Sequence, residues 1–132
     1  MNKLTPEQIT AAYNKVSGRD LTVDSPEVDQ ATLRAIIAKA WNKVEDGLKY
    51  EHLNMSTKAA VQCLELARRR PFPDHNIKTA ILSTLTMLEL NGIYIRLDAE
   101  SAEQMKKRLT HPTTTYADFA EWLRSHVSKP GE

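Results

Sequence analysis

A single cysteine, Cys63, stands among 132 residues, so an internal disulfide and a cysteine-built metal framework are both excluded, and the chain suits a reducing compartment. An excess of one charge is lacking too. The 18 lysines and arginines against 17 aspartates and glutamates leave a formal +1, which supplies no chain-wide attraction for nucleic acid or an anionic membrane. No apolar run approaches the roughly 18 residues of a membrane span, and Met1 to Thr10 has no apolar signal core. Repeats and low-complexity segments are absent. His52, His111 and His126 have no metal-ligand spacing with one another or with Cys63. What remains is a chain sized for one domain, residues 1–132 with a loose tail over 128–132, expected in the cytoplasm and expected to bind neither membrane nor nucleic acid directly.

Helical signals fill that length. Thr5-Pro6-Glu7-Gln8 joins a hydroxyl cap, a proline at the first helical position and a glutamine at the third, which predicts a helix over 6–17 stopped by Gly18. Ser25-Pro26-Glu27 repeats the signal, and Val28, Leu33, Ile36, Ile37, Ala40, Trp41 and Val44 keep helical period to Gly47. A third helix starts at Asn54 or Ser56, carries Ala59, Ala60, Cys63, Leu64 and Ala67, and ends in three arginines suited to its negative dipole end. Pro71 and Pro73 forbid its continuation. From Asn76 to Leu90 a fourth helix is apolar or small on nearly every side, so it is expected at the buried centre, with Asn91-Gly92 as its stop. Ile93 to Leu97 alternates like a strand but has no evident partner and reads as an extended linker. Ser101 to Leu109 is a further helix, and Thr115-x-x-Asp118 opens a last one with Phe119, Trp122, Leu123 and Val127 inward. The fold class is all-α, a bundle of about six helices around a buried central helix.

The stretch RRRPFPDHNIKT, residues 68–79, carries the most chemistry. A tight loop that feeds a helix N-terminus is a ready anion site, because the first-turn amides lack internal partners and the dipole there is positive. Asp74 is placed to hold magnesium, Asn76 to bond a phosphate oxygen and Lys78 to neutralise phosphate charge. The plainer alternative is that Asp74 or Asn76 caps the helix while Lys78 is a solvated surface residue.

Read with its flanks, the loop resembles that of the Fic/Doc family, whose motif runs His-x-Phe-x-Asp/Glu-Gly/Ala-Asn-Gly/Lys-Arg-Thr. Phe72, Asp74, Asn76 and Thr79 match, and Lys78 replaces an arginine. The opening Leu4-Thr5-Pro6-Glu7, the Ala35-Ile36-Ile37 helix, the apolar helix ending Asn91-Gly92 and the closing Leu123-Arg124 are similar to Doc-type toxins in order and spacing. The resemblance implies that Phe72 anchors the loop, Asp74 binds the magnesium of ATP, Asn76 and the amides after it hold phosphates, and Lys78 contacts them. It implies transfer of the terminal phosphate of ATP to a threonine of translation elongation factor Tu; the wider family transfers AMP. It also implies a Phd-type antitoxin, whose C-terminal segment folds as a helix into a groove on this domain; Tyr13 and Trp41 are candidate walls of that groove, with burial in the core as the plainer reading of each.

Departures from the motif bear on activity. The family's catalytic histidine falls on Arg70, and arginine keeps its proton in essentially any protein site, so it cannot act as base. The expectation is therefore an impaired transferase or a non-catalytic binding module on the same fold. His75 stands where the family has glycine or alanine, and Ile77 where it is polar or glycine. The inhibitory Ser/Thr-x-x-x-Glu-Gly/Asn motif of many Fic proteins is missing.

Overall fold

Both capping boxes close as the sequence spells them. The Gln8 amide donates to Thr5 Oγ1 at 3.1 Å while the Thr5 amide donates to Gln8 Oε1 at 2.8 Å, which fixes the start of α1 (Pro6–Ser17). Gly18 ends the helix at φ 77°, a left-handed geometry that side chains with a Cβ resist. Thr115 and Asp118 repeat the reciprocal pair at 3.1 and 3.4 Å for α6 (Tyr116–Ser125).

The computed structural model describes residues 2–42 and 51–128, with Asn42 and residues 51–54 described in backbone alone. Val44, the Gly47 stop, the His52 side chain and the tail beyond Ser128 lie outside the described residues. Between the two boxed helices the chain forms α2 (Gln30–Asn42), α3 (Glu51–Arg69), α4 (Asn76–Leu90), β1 (Tyr94–Ile95) and α5 (Ala99–Thr110), and β2 (Val127–Ser128) follows α6. The fold is all-α, with six helices among the described residues.

The helix at the centre is α3. From Met55 to Ala67 only Thr57 is less than buried, and α2, α4, α5 and α6 all pack against it. The more apolar α4 hides one side, with Ala80, Ser83, Thr84, Met87 and Leu88 buried and Ile81, Leu82 and Leu85 half-buried. Composition pointed to α4; what decides the matter is how many neighbours surround a helix. Of the buried polar residues on α3, Glu65 and Lys58 have partners, whereas the Gln62 amide has no hydrogen-bond partner among the described residues. Glu65 is paired with Lys39 and accepts from the Tyr116 hydroxyl at 3.1 Å, and buried Lys58 sits over the Trp41 ring at 5.3 Å. Burial pushes the Glu65 carboxyl up, but the bonds from Lys39 and Tyr116 outweigh it and leave its pKa lowered.

Four boundaries differ from the sequence expectation, one of them in α3, which is already helical at Glu51 and does not wait for Asn54 or Ser56. α2 starts at Gln30 and not at Pro26, because Ser25 and Val28 are held in successive turns and Asp29 is the side chain that caps, accepting the Thr32 amide at 3.0 Å. Residues 94–95 are a strand after all: β1 pairs antiparallel with β2, Tyr94 opposite Ser128 and Ile95 opposite Val127. The partner comes from the segment expected to continue the last helix, so Val127 is 48% exposed instead of inward. Asp98 caps α5, which moves its start ahead of Ser101, accepting the Ser101 amide at 2.7 Å.

Candidate functional site

Residues 70–75 turn the chain from α3 into α4, and both ends of the turn are left-handed without glycine. Arg70 lies at φ 52° and His75 at φ 54°. Such conformations cost a non-glycine residue on the order of 1–2 kcal/mol, so the surrounding bonds must hold the loop in shape. Those bonds are visible. The Asp29 amide donates to Pro71 O at 2.8 Å, tying the loop to the start of α2. Phe72 is buried and stacks on the Tyr13 ring of α1, centroids 4.6 Å apart and planes 4° from parallel. The Asn76 side chain closes the turn internally, accepting from the Phe72 amide at 3.0 Å and donating to the Phe72 carbonyl at 2.9 Å.

Neither expected cap caps α4. Asp74 turns away from the helix: its Oδ1 accepts the Tyr13 hydroxyl at 2.7 Å and meets His75 Nδ1 at 2.8 Å. Its carboxyl is held below the ordinary aspartate range by the His75 bond first and the Tyr13 bond second, with the Arg19 guanidinium adding attraction. Asn76 is only 5% exposed and spends its amide group on Phe72, so it acts as a staple of the loop. His75 occupies the cap position with no side-chain bond to the helix, and the first internal bond runs from the Thr79 amide to His75 O at 2.9 Å. The amides of Asn76, Ile77 and Lys78 thus have no acceptor among the described residues.

Beside those amides lies a groove of about 460 Å³ between the loop, α4 and α5. Arg70, His75 and Lys78 line it, Lys106 and Thr110 of α5 face them, and Ala67, Ile77 and Ile81 supply its apolar surface. No carboxylate among the described residues is part of the wall. No ion pair among the described residues involves Arg70, Lys78 or Lys106. A concave surface with unpaired cations next to open helix amides is suited to a phosphate-bearing anion.

No family model, curated protein or solved structure matches the chain.

The groove gathers Arg70, His75, Asn76, Ile77 and Lys78 from the residues that sequence singled out; it leaves Asp74 and Phe72 on the α1 side of the loop and Thr79 buried beneath it. As for a nucleotide with magnesium, the phosphate part fits the open amides and cations. Among the described residues Asp74 Oδ2 has no hydrogen-bond partner on a half-exposed carboxylate, which leaves one oxygen that could meet a metal brought by the nucleotide. Among the described residues no three His, Cys, Asp or Glu side chains converge as a metal site, and no helix is long and apolar enough to cross a membrane. Of its two readings, groove wall or core residue, Tyr13 takes the second: it is fully buried, and its ring is the surface on which Phe72 rests. One residue, Lys106, and one contact, between Tyr13 and Asp74, escaped sequence reasoning. Lys106 reaches the site from another helix with no local motif, and Tyr13 meets Asp74 across 61 positions.

Proposed function

We propose that the chain is a Doc-like toxin of a toxin-antitoxin module whose loop cradles the phosphates of ATP, with transfer impaired by Arg70. The observation that carries the reading is the uncapped start of α4: three open amides beside Lys78 and Arg70, at the positions where the family motif seats phosphates. Support also comes from His75, since the left-handed backbone there is the geometry for which a family glycine would be selected.

In this reading the amides of residues 76–78 and the Lys78 ammonium would hold phosphate oxygens, and Asp74, on the α1 side of the loop and outside the groove wall, would offer the nucleotide's magnesium its Oδ2. Bound ATP supplies the terminal phosphoryl group. Transfer forms a bond from that phosphorus to a threonine oxygen of translation elongation factor Tu, breaks the bond to the bridging oxygen and releases ADP. The threonine proton must go to a base, and Arg70 has no lone pair to receive it. Loss of the base is the reason the chain is read as impaired. The resemblance assigns the reaction to the cytoplasm and the control of it to a Phd-type antitoxin helix.

The test is Arg70→His. The variant is expected to modify elongation factor Tu in an ATP-dependent manner and to arrest growth when expressed, and the parent chain is expected to do neither. Absence of both effects from a folded variant leaves the second reading, a non-catalytic binding module, which the closed pairing of Asp74 with Tyr13 and His75 favours. If AMP transfer is the reaction, label from the α-phosphate of ATP appears on the target in place of label from the γ-phosphate.

A further inference from the structure

In the Doc-like reading Arg70 removes the base, yet its position gives it a use. It is exposed and lines the groove together with Lys78 and Lys106, and no carboxylate among the described residues shares that wall to neutralise the three. The chain as a whole is nearly neutral, at +1. Three cations from three separate segments, the loop, α4 and α5, are therefore concentrated on one concave surface without being part of a general positive field. Helix-dipole compensation accounts for Lys107 and Arg108 in the last turn of α5. It does not account for Lys106, which stands ahead of that turn and lines the groove.

We infer that Arg70, Lys78 and Lys106 together form a binding site for a polyphosphate chain, with Arg70 a ligand in place of the missing base and Lys106 a ligand contributed by α5. The inference rests on the reading of residues 70–79 as a phosphate cradle and adds to it the two side chains outside the helix start. One phosphate at the α4 amides satisfies Lys78; Arg70 and Lys106, in the same wall, are left for a second or third along the groove. Guanidinium suits this role because its planar fork can bond two oxygens at once. The half-buried Ile77 and Ile81 beside the cations offer a nucleoside base an apolar seat, so the shared chemistry of nucleotide and free pyrophosphate is the polyphosphate, and the base distinguishes them.

Calorimetry on the full chain tests this with ATP, inorganic pyrophosphate and adenosine, at low salt and without added metal. ATP and pyrophosphate are expected to bind and adenosine not to. Lys106→Ala and Arg70→Ala should each weaken ATP and pyrophosphate by about tenfold, the effect of losing one charge-assisted bond. Lys106→Arg should restore most of the loss. Lys107→Ala, on the same exposed helix and outside the groove wall, is the control and should change affinity less than twofold. Binding that is unaltered by Lys106→Ala and Arg70→Ala, equal losses in Lys107→Ala, or no binding of pyrophosphate overturns the inference. Its failure is separable from that of the transferase reading. Pyrophosphate held through Lys106 by a chain whose Arg70→His variant transfers nothing keeps the site and sinks the enzyme, whereas transfer by Arg70→His that ignores Lys106→Ala does the opposite.

Discussion

The Tyr13 hydroxyl donates to Asp74 Oδ1 at 2.7 Å, joining the first helix to a loop 61 positions away. The same Tyr13 ring carries Phe72 on its face, so one side chain fixes the loop by an apolar stack and a charge-assisted bond together. Tyr13→Phe keeps the first and deletes the second. It is expected to lose about 1–2 kcal/mol of stability, and Tyr13→Ala about 3–5, in urea denaturation. Coincident midpoints for Tyr13→Phe and the parent chain at neutral pH would mean that the bond contributes nothing.

Acid should undo part of this anchoring. The Asp74 carboxyl titrates below its ordinary value when folded, because His75 and Tyr13 bond its ionised form. Its contribution is thus complete above the unfolded pKa of ~3.9 and is lost as pH falls through the lower folded value. The stability difference between the parent chain and Asp74→Asn should therefore be constant down to ~pH 5 and shrink below ~pH 4. Asp29 and Asp98, also lowered by bonds at their helix starts, are common to both proteins and cancel. A difference that stays the same into strong acid would remove Asp74 from the account.

Asn76 is a staple of the loop before it is anything else. Asn76→Ala strips two bonds from the Phe72 backbone in a buried turn and is expected to cost about 2–3 kcal/mol without any ligand present. A loss confined to ligand affinity, with thermal unfolding unchanged, would instead favour a direct role at the anion.

The left-handed backbone at Arg70 predicts a gain from glycine. Arg70→Gly should raise stability by about 0.5–1 kcal/mol through relief of strain, net of glycine's greater unfolded freedom, and Arg70→Val should lower it by about 1. Thermal melts of the two variants read this directly. Because Arg70→Gly also deletes a cation of the groove, a variant that is more stable and binds pyrophosphate less well would separate strain from ligand contact.

Cys63 should be silent. Burial pushes its thiol up to about 12, and its Sγ lies 3.5 Å from Ala80 O in the contact between α3 and α4. Aromatic disulfide reagents are expected to label it at the rate of global unfolding, rising with urea; fast labelling in native buffer would contradict the packing.

Local signals in the sequence were read correctly where a short range of residues decides the outcome. Thr5 with Gln8 and Thr115 with Asp118 are closed by neighbours three positions away, so their boxes formed as written. Ser25-Pro26 failed as a start because the competition was also local: Asp29, a stronger acceptor nearer the helix, took the cap, and the Asp29 amide was committed to Pro71. The β1–β2 pair had only two residues on each side and partners more than 30 positions apart, which periodicity cannot report.

For the site, sequence determined the inventory. The two prolines forced a break after three arginines, Asn76 began the next helix, and an anion-compatible start with Lys78 one turn in followed from residue types and order. Tertiary structure decided who uses them. Asp74 and Asn76 are equally good caps on paper, yet packing of α1 against α4 brought the Tyr13 hydroxyl to one, and closure of the loop brought the Phe72 backbone to the other, which left the α4 amides open. Lys106 joined them only because α5 folds back along the groove, a relation that no spacing within residues 68–79 contains.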